Sequence, residues 1–122
     1  MRVRPYSRVQ RYGHELQKIL GEIVTREVDT SSLGLVTVTR VRVSRDLRLA
    51  RVYVSVLNRK VSRHDVERFF TRHGRFIRGL LGSQVSSKSV PELRFHYDST
   101  FEEVEKVNEL LARIQGSGPE PE

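Results

Sequence analysis

The side chains best placed to do chemistry in this sequence lie in the segment Arg72-His73-Gly74-Arg75-Phe76-Ile77-Arg78. Arginines recur there at three-residue spacing, among hydrophobic and aromatic anchors that can hold the segment to a core while the guanidinium groups face outward. The chemistry this suits is recognition, because a guanidinium offers a planar fork of donors that grips phosphate oxygens two at a time and stacks on flat rings. Covalent chemistry has no comparable constellation. Asp46, Asp65 and Asp98 are each accounted for by a turn or a cap, no serine sits in a nucleophile elbow, and no glycine-rich loop precedes a Lys-Ser/Thr pair. There is no cysteine, and His14, His64 and His96 have no partner at metal-ligand spacing. The sequence therefore predicts a non-enzyme with no cofactor and no metal.

The charge distribution says where a partner would bind. Residues 1–98 hold 20 Lys/Arg against 9 Asp/Glu, whereas residues 99–122 hold 2 against 6, within an overall net charge of +7. A phosphate-rich partner would meet the first 98 residues. Only Lys18, Lys60, Lys88 and Lys106 among the 22 basic residues are lysine, which again favours the bidentate fork. A length of 122 residues fits one domain, expected over residues 1–115, followed by a disordered tail at 116–122 rich in Gly, Pro and Glu. No apolar run approaches the ~20 residues that cross a bilayer. The expectation is a soluble, cytoplasmic monomer that does not engage a membrane.

The elements that must position these arginines can be read from periodicity. Val9, Tyr12, Leu16, Ile19, Leu20 and Ile23 give one apolar helical face between Pro5 and about Val28. Gly13 and Gly21 are candidates for a close helix–sheet crossing, and Gly34 for the turn that follows. Val36 and Val38 then alternate in one parity and Val41 and Val43 in the other, which predicts an irregularity, a bulge or a strong twist, near Thr39-Arg40. Ser44-Arg45-Asp46 connects to a second strand, Ala50 to Val56, in an antiparallel hairpin. Ser62 with Asp65 fits a helix-capping box, with Val66, Phe69 and Phe70 on the core side. The helix should stop or bend near Arg72-His73-Gly74, joined to a second short helix through the backbone freedom of Gly74, and Phe76, Ile77, Leu80, Leu81 and Val85 resume the stripe. Phe69, Phe70, Phe76 and Phe95 are read as core. Pro91 opens a last strand through Tyr97, Ser99 with Glu102 offers a second capping box, and Val104, Val107, Leu111 and Ile114 mark a final helix. The fold class is α+β: a three-stranded sheet covered by helices on one face, in the type II K-homology order helix-strand-strand-helix-kink-helix-strand, with an added C-terminal helix.

A series of short pieces in this order carries a resemblance. They are Arg8-Val9; Leu33-Gly34 with Val36-Thr37-Val38-Thr39 and Val43-Ser44-Arg45-Asp46-Leu47; Ala50 to Ser55; Phe76-Ile77-Arg78 with Leu81-Gly82; and Val90 to Phe95 ending in Tyr97-Asp98-Ser99. Over about residues 8–114 the chain closely resembles the bacterial ribosome-binding factor A family. The resemblance implies a non-catalytic assembly factor that binds 16S rRNA in immature 30S subunits, favours maturation of the 16S 5′ end, and matters most in the cold. It implies an interhelical Ala-x-Gly kink in place of the Gly-x-x-Gly loop of other K-homology modules. Here the triplet is Arg72-His73-Gly74, with arginine where the family has alanine, and the family's Asp-Pro-Arg after the first helix is replaced by Asp29-Thr30-Ser31. Gly79-Leu80-Leu81-Gly82 has the spacing of a nucleic-acid clamp, but its two leucines belong to the apolar stripe, so it reads as helix packing.

The residues expected to contact RNA are Arg72, His73, Arg75 and Arg78 at the kink, Arg4, Arg8 and Arg11 at the helix start, Arg45 and Arg48 in the hairpin turn, and Lys88 beside the last strand. Such contacts position a protein by RNA shape more than by base sequence. Arg40, Arg42, Arg51 and Arg94 on the solvated sheet face are equally consistent with local pairing, and Tyr53 with packing. With no nucleotide pocket in the sequence, release would draw on rRNA refolding, competition or a partner GTPase. Two other function classes remain open at this point: a metal-dependent RNA-processing nuclease, and a protein-interaction module on the small subunit.

Overall fold

Ser7 starts the first helix with a complete capping box, its hydroxyl accepting the Gln10 amide while the Gln10 side chain accepts the Ser7 amide. Helix α1 therefore runs Arg8–Glu27. The computed structural model describes residues 7–58, 60–85 and 89–116. Pro5 and most of the expected tail lie outside these residues; Gly116, expected in the tail, closes the last helix. Strands β1 (Leu35–Val43) and β2 (Leu49–Leu57) form the expected antiparallel hairpin, and β3 (Glu92–Tyr97) pairs parallel to β2, giving the sheet order β1-β2-β3. Between them come α2 (Arg63–Arg72) and α3 (Gly74–Gly82), and α4 (Thr100–Gly116) follows β3. This is the type II K-homology-like arrangement with an added helix.

The predicted irregularity is present as a bulge. The β1–β2 register shifts between Val38 and Arg40, so Thr39 is the extra residue and Val38, Val41, Ala50, Val52 and Val54 all face the helices. Leu16, Leu20, Ile23, Val66, Phe70, Ile77 and Leu81 close over them from α1, α2 and α3. Of the two glycines proposed for a close crossing, Gly13 is the one used. A Cβ there would come within 3.0 Å of the Val41 carbonyl oxygen, whereas Gly21 has open space. Gly34 takes φ +115°, a backbone region that excludes side chains, and so turns the chain into β1. The exposed edge of β3 is capped by α2, because the Glu67 carboxylate accepts the Tyr97 amide at 2.9 Å.

Two local expectations change. At the start of α4 the Ser99 hydroxyl donates to Glu103 instead of accepting the Glu102 amide, and the Asp98 carboxylate takes the Thr100 amide at 3.0 Å. Glu102 is diverted to the Tyr97 hydroxyl. Phe76 is not core: it is 52 % exposed, since the buried line of α3 runs through Ile77 and Leu81 and a neighbouring position lies ~100° around the helix.

Asp98 ties the bulge to α4. The Thr39 hydroxyl lies 2.5 Å from its Oδ2 and 3.2 Å from the Tyr53 carbonyl oxygen, and its single proton serves the shorter contact. Burial pushes the Asp98 carboxyl upward, but the hydrogen bonds from Thr100 and Thr39, with Arg40 at 4.0 Å, hold it below the usual carboxylate range. The unfolded carboxyl titrates near ~3.9. The stabilisation is therefore complete above that pH and is lost as the pH falls through the lower folded value. Asp98→Ala should cost roughly 2 kcal/mol at neutral pH and flatten the acid limb of a urea-denaturation pH series. Tyr97 behaves oppositely: burial, then its bond to Glu102, push its hydroxyl up to about 12. Stability should fall between about pH 10, where the unfolded phenol ionises, and that value, and Tyr97→Phe should remove this alkaline loss.

Candidate nucleic-acid interface

The kink is built by a histidine rather than by glycine freedom. His73 adopts φ −91° and ψ 2°, its amide bonds back to the Phe69 carbonyl at 3.1 Å, and its ring Nδ1 is 2.8 Å from that same carbonyl oxygen. Gly74 is an ordinary first residue of α3, where a Cβ would only touch the Phe95 ring at 3.7 Å. The His73 ring stacks on Phe69 with centroids 4.2 Å apart, Phe69 meets Phe70 edge-on at 5.1 Å, and Phe70 stacks on Phe95 at 5.4 Å. A continuous ladder of rings thus joins the bend to β3 and the core.

On this support Arg72 and Arg75 stand exposed on either side of the bend. Arg78 departs from the expectation that it faces freely outward. Its Nε donates to the Pro91 carbonyl at 2.9 Å and its Nη2 to the Val90 carbonyl at 2.6 Å, so it latches α3 to the chain entering β3. Arg78→Ala should therefore cost about 1–2 kcal/mol, and Arg78→Lys should recover only part, because an ammonium cannot bridge two carbonyls as a fork does. Thermal denaturation of the two variants checks this. Gly79 to Gly82 is helical with Leu81 fully buried, which rules out the clamp reading of those residues.

The hairpin turn is equally rigid. The Ser44 hydroxyl donates to Asp46 Oδ1 at 2.7 Å, the Arg48 amide donates to the same oxygen at 3.1 Å, and the Leu49 amide donates to the Ser44 hydroxyl oxygen at 3.0 Å. These bonds, Ser44 first, hold the Asp46 carboxyl below its usual range. Leu47 at φ 61° completes the turn, leaving Arg45 and Arg48 exposed. The Arg48 carbonyl accepts the Glu92 amide at 2.8 Å, which docks this turn to the β3 start that Arg78 also holds. Residues Val9, Gln10, His14 and Gln17 line a groove with Arg40 to Val43, so the N-terminal half of α1, with exposed Arg8 and Arg11, lies against that same half of the hairpin. The structure thus brings α1's basic start, the turn and the β3 entry towards one end of the molecule. Arg4 and Lys88 lie outside the described residues.

One feature has no local signal in the sequence. The registers set Arg42 opposite Arg51, and Arg51 opposite Arg94, across all three strands. The first pairing follows from the hairpin; the second needs the non-local parallel pairing of β3. No group of three or more His, Cys, Asp or Glu that could hold a metal ion occurs among the described residues, and no helix there is long and apolar enough to cross a membrane.

The family model described as ribosome-binding factor A matches residues 8–111, nearly the whole described fold. The chain belongs to the ribosome-binding factor A family. It is 40 % identical over 107 residues to the ribosome-binding factor A of Natranaerobius thermophilus, covering 88 % of this chain and 82 % of that protein. It is 36 % identical over 122 residues to that of Marinobacter nauticus, covering 95 % and 85 %. The crystal structure of ribosome-binding factor A from Thermus thermophilus superposes with a TM-score of 0.64 at 27 % identity, over 74 % of this chain and 94 % of that one. A homology model of the Thermus thermophilus factor, fitted into the cryo-EM map of a 30S–RbfA complex, gives 0.61 at 26 % identity, over 71 % and 91 %. Membership makes this chain one of a non-catalytic family of ribosome assembly factors that bind the small subunit.

Proposed function

We propose that this chain binds 16S rRNA within immature 30S subunits and promotes their late maturation, including processing of the 16S 5′ end by a separate nuclease. The observation that carries this reading is a set of exposed arginines on preorganised supports, a helix start beside a hydrogen-bonded turn at one end and a histidine-braced kink, in a chain of the ribosome-binding factor A family. The contact residues are Arg8, Arg11, Arg45, Arg48, Arg72, His73 and Arg75, with Arg78 fixing the geometry and Arg4 and Lys88 adding charge. Guanidinium groups on a preorganised scaffold lose little freedom on binding, and phosphate contacts of this kind read shape. The factor acts in the cytoplasm as a monomer, with its greatest effect in the cold, where misfolded rRNA escapes slowly. Release draws on rRNA refolding, competition or a partner GTPase, since the sequence carries no glycine-rich phosphate loop before a Lys-Ser/Thr pair.

The test is primer extension on 16S rRNA from cold-grown cells lacking the endogenous factor. Expression of this chain should restore the mature 5′ end, and the purified protein with Mg²⁺ should leave precursor rRNA intact. Cleavage by the purified protein would overturn the non-catalytic reading in favour of a nuclease.

A further inference from the structure

The face of the sheet turned away from α1–α3 is bordered by Glu102 and Glu105 of α4 beside Leu35, Thr37, Ser55 and Leu57, but at its hairpin-turn end it is open and carries a charge arrangement that folding alone does not explain. Like charges directly opposite one another on a sheet are destabilising, yet Arg42, Arg51 and Arg94 occupy one cross-strand row. Arg42 and Arg51 have no hydrogen-bond or ion-pair partner among the described residues. Arg94 meets Glu92 of its own strand at 3.3 Å, with both side chains more than half exposed, a pairing of little worth in water. Asp46, in the adjoining hairpin turn, is engaged by Ser44 and the Arg48 amide. The next row is flat: Arg40 lies over the Tyr53 ring at 4.3 Å, and His96 flanks the same ring at 5.4 Å with 30° between planes.

We propose that this open face is a second RNA-binding surface, taking the sugar–phosphate backbone of an rRNA segment other than the one at the kink. The proposal rests on the rRNA-binding reading above. Strands lie ~4.8 Å apart, so the three guanidinium groups fan over about 10 Å. A row of that span can meet two or three neighbouring phosphates of one strand, one guanidinium to each. Arg40 and His96 flank the Tyr53 ring from the strands on either side, so that row is already packed on itself and the contact offered to RNA is the charged row. An acidic protein segment would also satisfy the charges, but a regular row of planar forks, each able to grip two oxygens of one phosphate, favours a phosphate backbone. Because α2 and α3 pack on the opposite face of the sheet, the factor would hold two rRNA segments at once, and their joint capture favours a particle that presents both.

The experiment compares wild type, Arg42→Gln/Arg51→Gln/Arg94→Gln and Arg72→Gln/Arg75→Gln for equilibrium binding to immature 30S particles and to protein-free 16S rRNA across a salt series. The sheet variant should melt no lower than wild type, because it relieves repulsion. It should lose affinity for both targets, with the slope of log K against log salt reduced by about 2 to 3, close to one for each phosphate no longer neutralised. Wild-type affinity and slope in the sheet variant, alongside loss in the kink variant, would overturn this proposal alone. Loss on the particle but not on protein-free rRNA would overturn it in favour of an acidic protein partner. A wild-type chain that binds neither target would overturn the rRNA reading and this proposal together.

Discussion

Phe70→Ala should be the most damaging single truncation at the kink, lowering stability by about 3–5 kcal/mol, whereas Phe76→Ala should leave it nearly unchanged. Phe70 is fully buried, stacked on Phe95 and edge-on to Phe69. Its removal forfeits the transfer energy of a whole ring and leaves a cavity between α2 and β3 that Val66 and Ile77 are too short to fill. Against a total stability of roughly 5–15 kcal/mol, the loss puts the variant near the folding threshold. The midpoint of thermal unfolding should fall by at least about 12 °C. Phe76, one residue from the buried line of α3, presents its ring to solvent and has little burial to lose. Differential scanning calorimetry of the two variants reads both expectations, and an equal loss at Phe76 would contradict the packing described here. Phe69 and His73 form the outer end of the same ring ladder, so the Phe70 variant should also blur the bend that presents Arg72 and Arg75.

Reversing charge at Arg72 and Arg75 should weaken binding to immature 30S particles by about a hundredfold, near 1.4 kcal/mol for each guanidinium–phosphate pairing removed. Both residues are exposed and have no hydrogen-bond or ion-pair partner among the described residues, so Arg72→Glu/Arg75→Glu should fold with wild-type stability. Arg78 stays in place in this variant, because its two bonds to the Val90 and Pro91 carbonyls make it part of the scaffold. Substituting it as well would mix weaker RNA attraction with a loosened α3. Filter binding over a salt series, with circular dichroism to confirm folding, reads the effect. Undiminished binding would move the interface away from the kink.

Much of this fold was legible in the sequence because local rules and burial agree. The switch in parity between Val38 and Val41 requires a local irregularity in the strand, and a bulge is there at Thr39. Ser62 caps α2 through the Asp65 amide as its type and spacing demand. What was not legible depends on contacts distant in sequence. Nothing local to Asp98 announces that Thr39, fifty-nine residues earlier, would share its carboxylate. Arg78 reads as one more outward charge until β3 places two carbonyls beside it. The three-arginine row likewise appears only when β3 pairs parallel to β2. The α4 stripe is the converse case: Val104, Val107, Leu110, Leu111 and Ile114 have helical spacing, yet stand 49–71 % exposed. Periodicity predicted the helix without saying what it packs against.

The measurement that bears most directly on the central claim is co-sedimentation of the purified wild-type chain with immature and mature 30S subunits at low and high salt. The account predicts clear preference for the immature particle and binding that weakens steeply with salt, as phosphate contacts release counterions. Equal binding to both particles, or binding indifferent to salt, would contradict it.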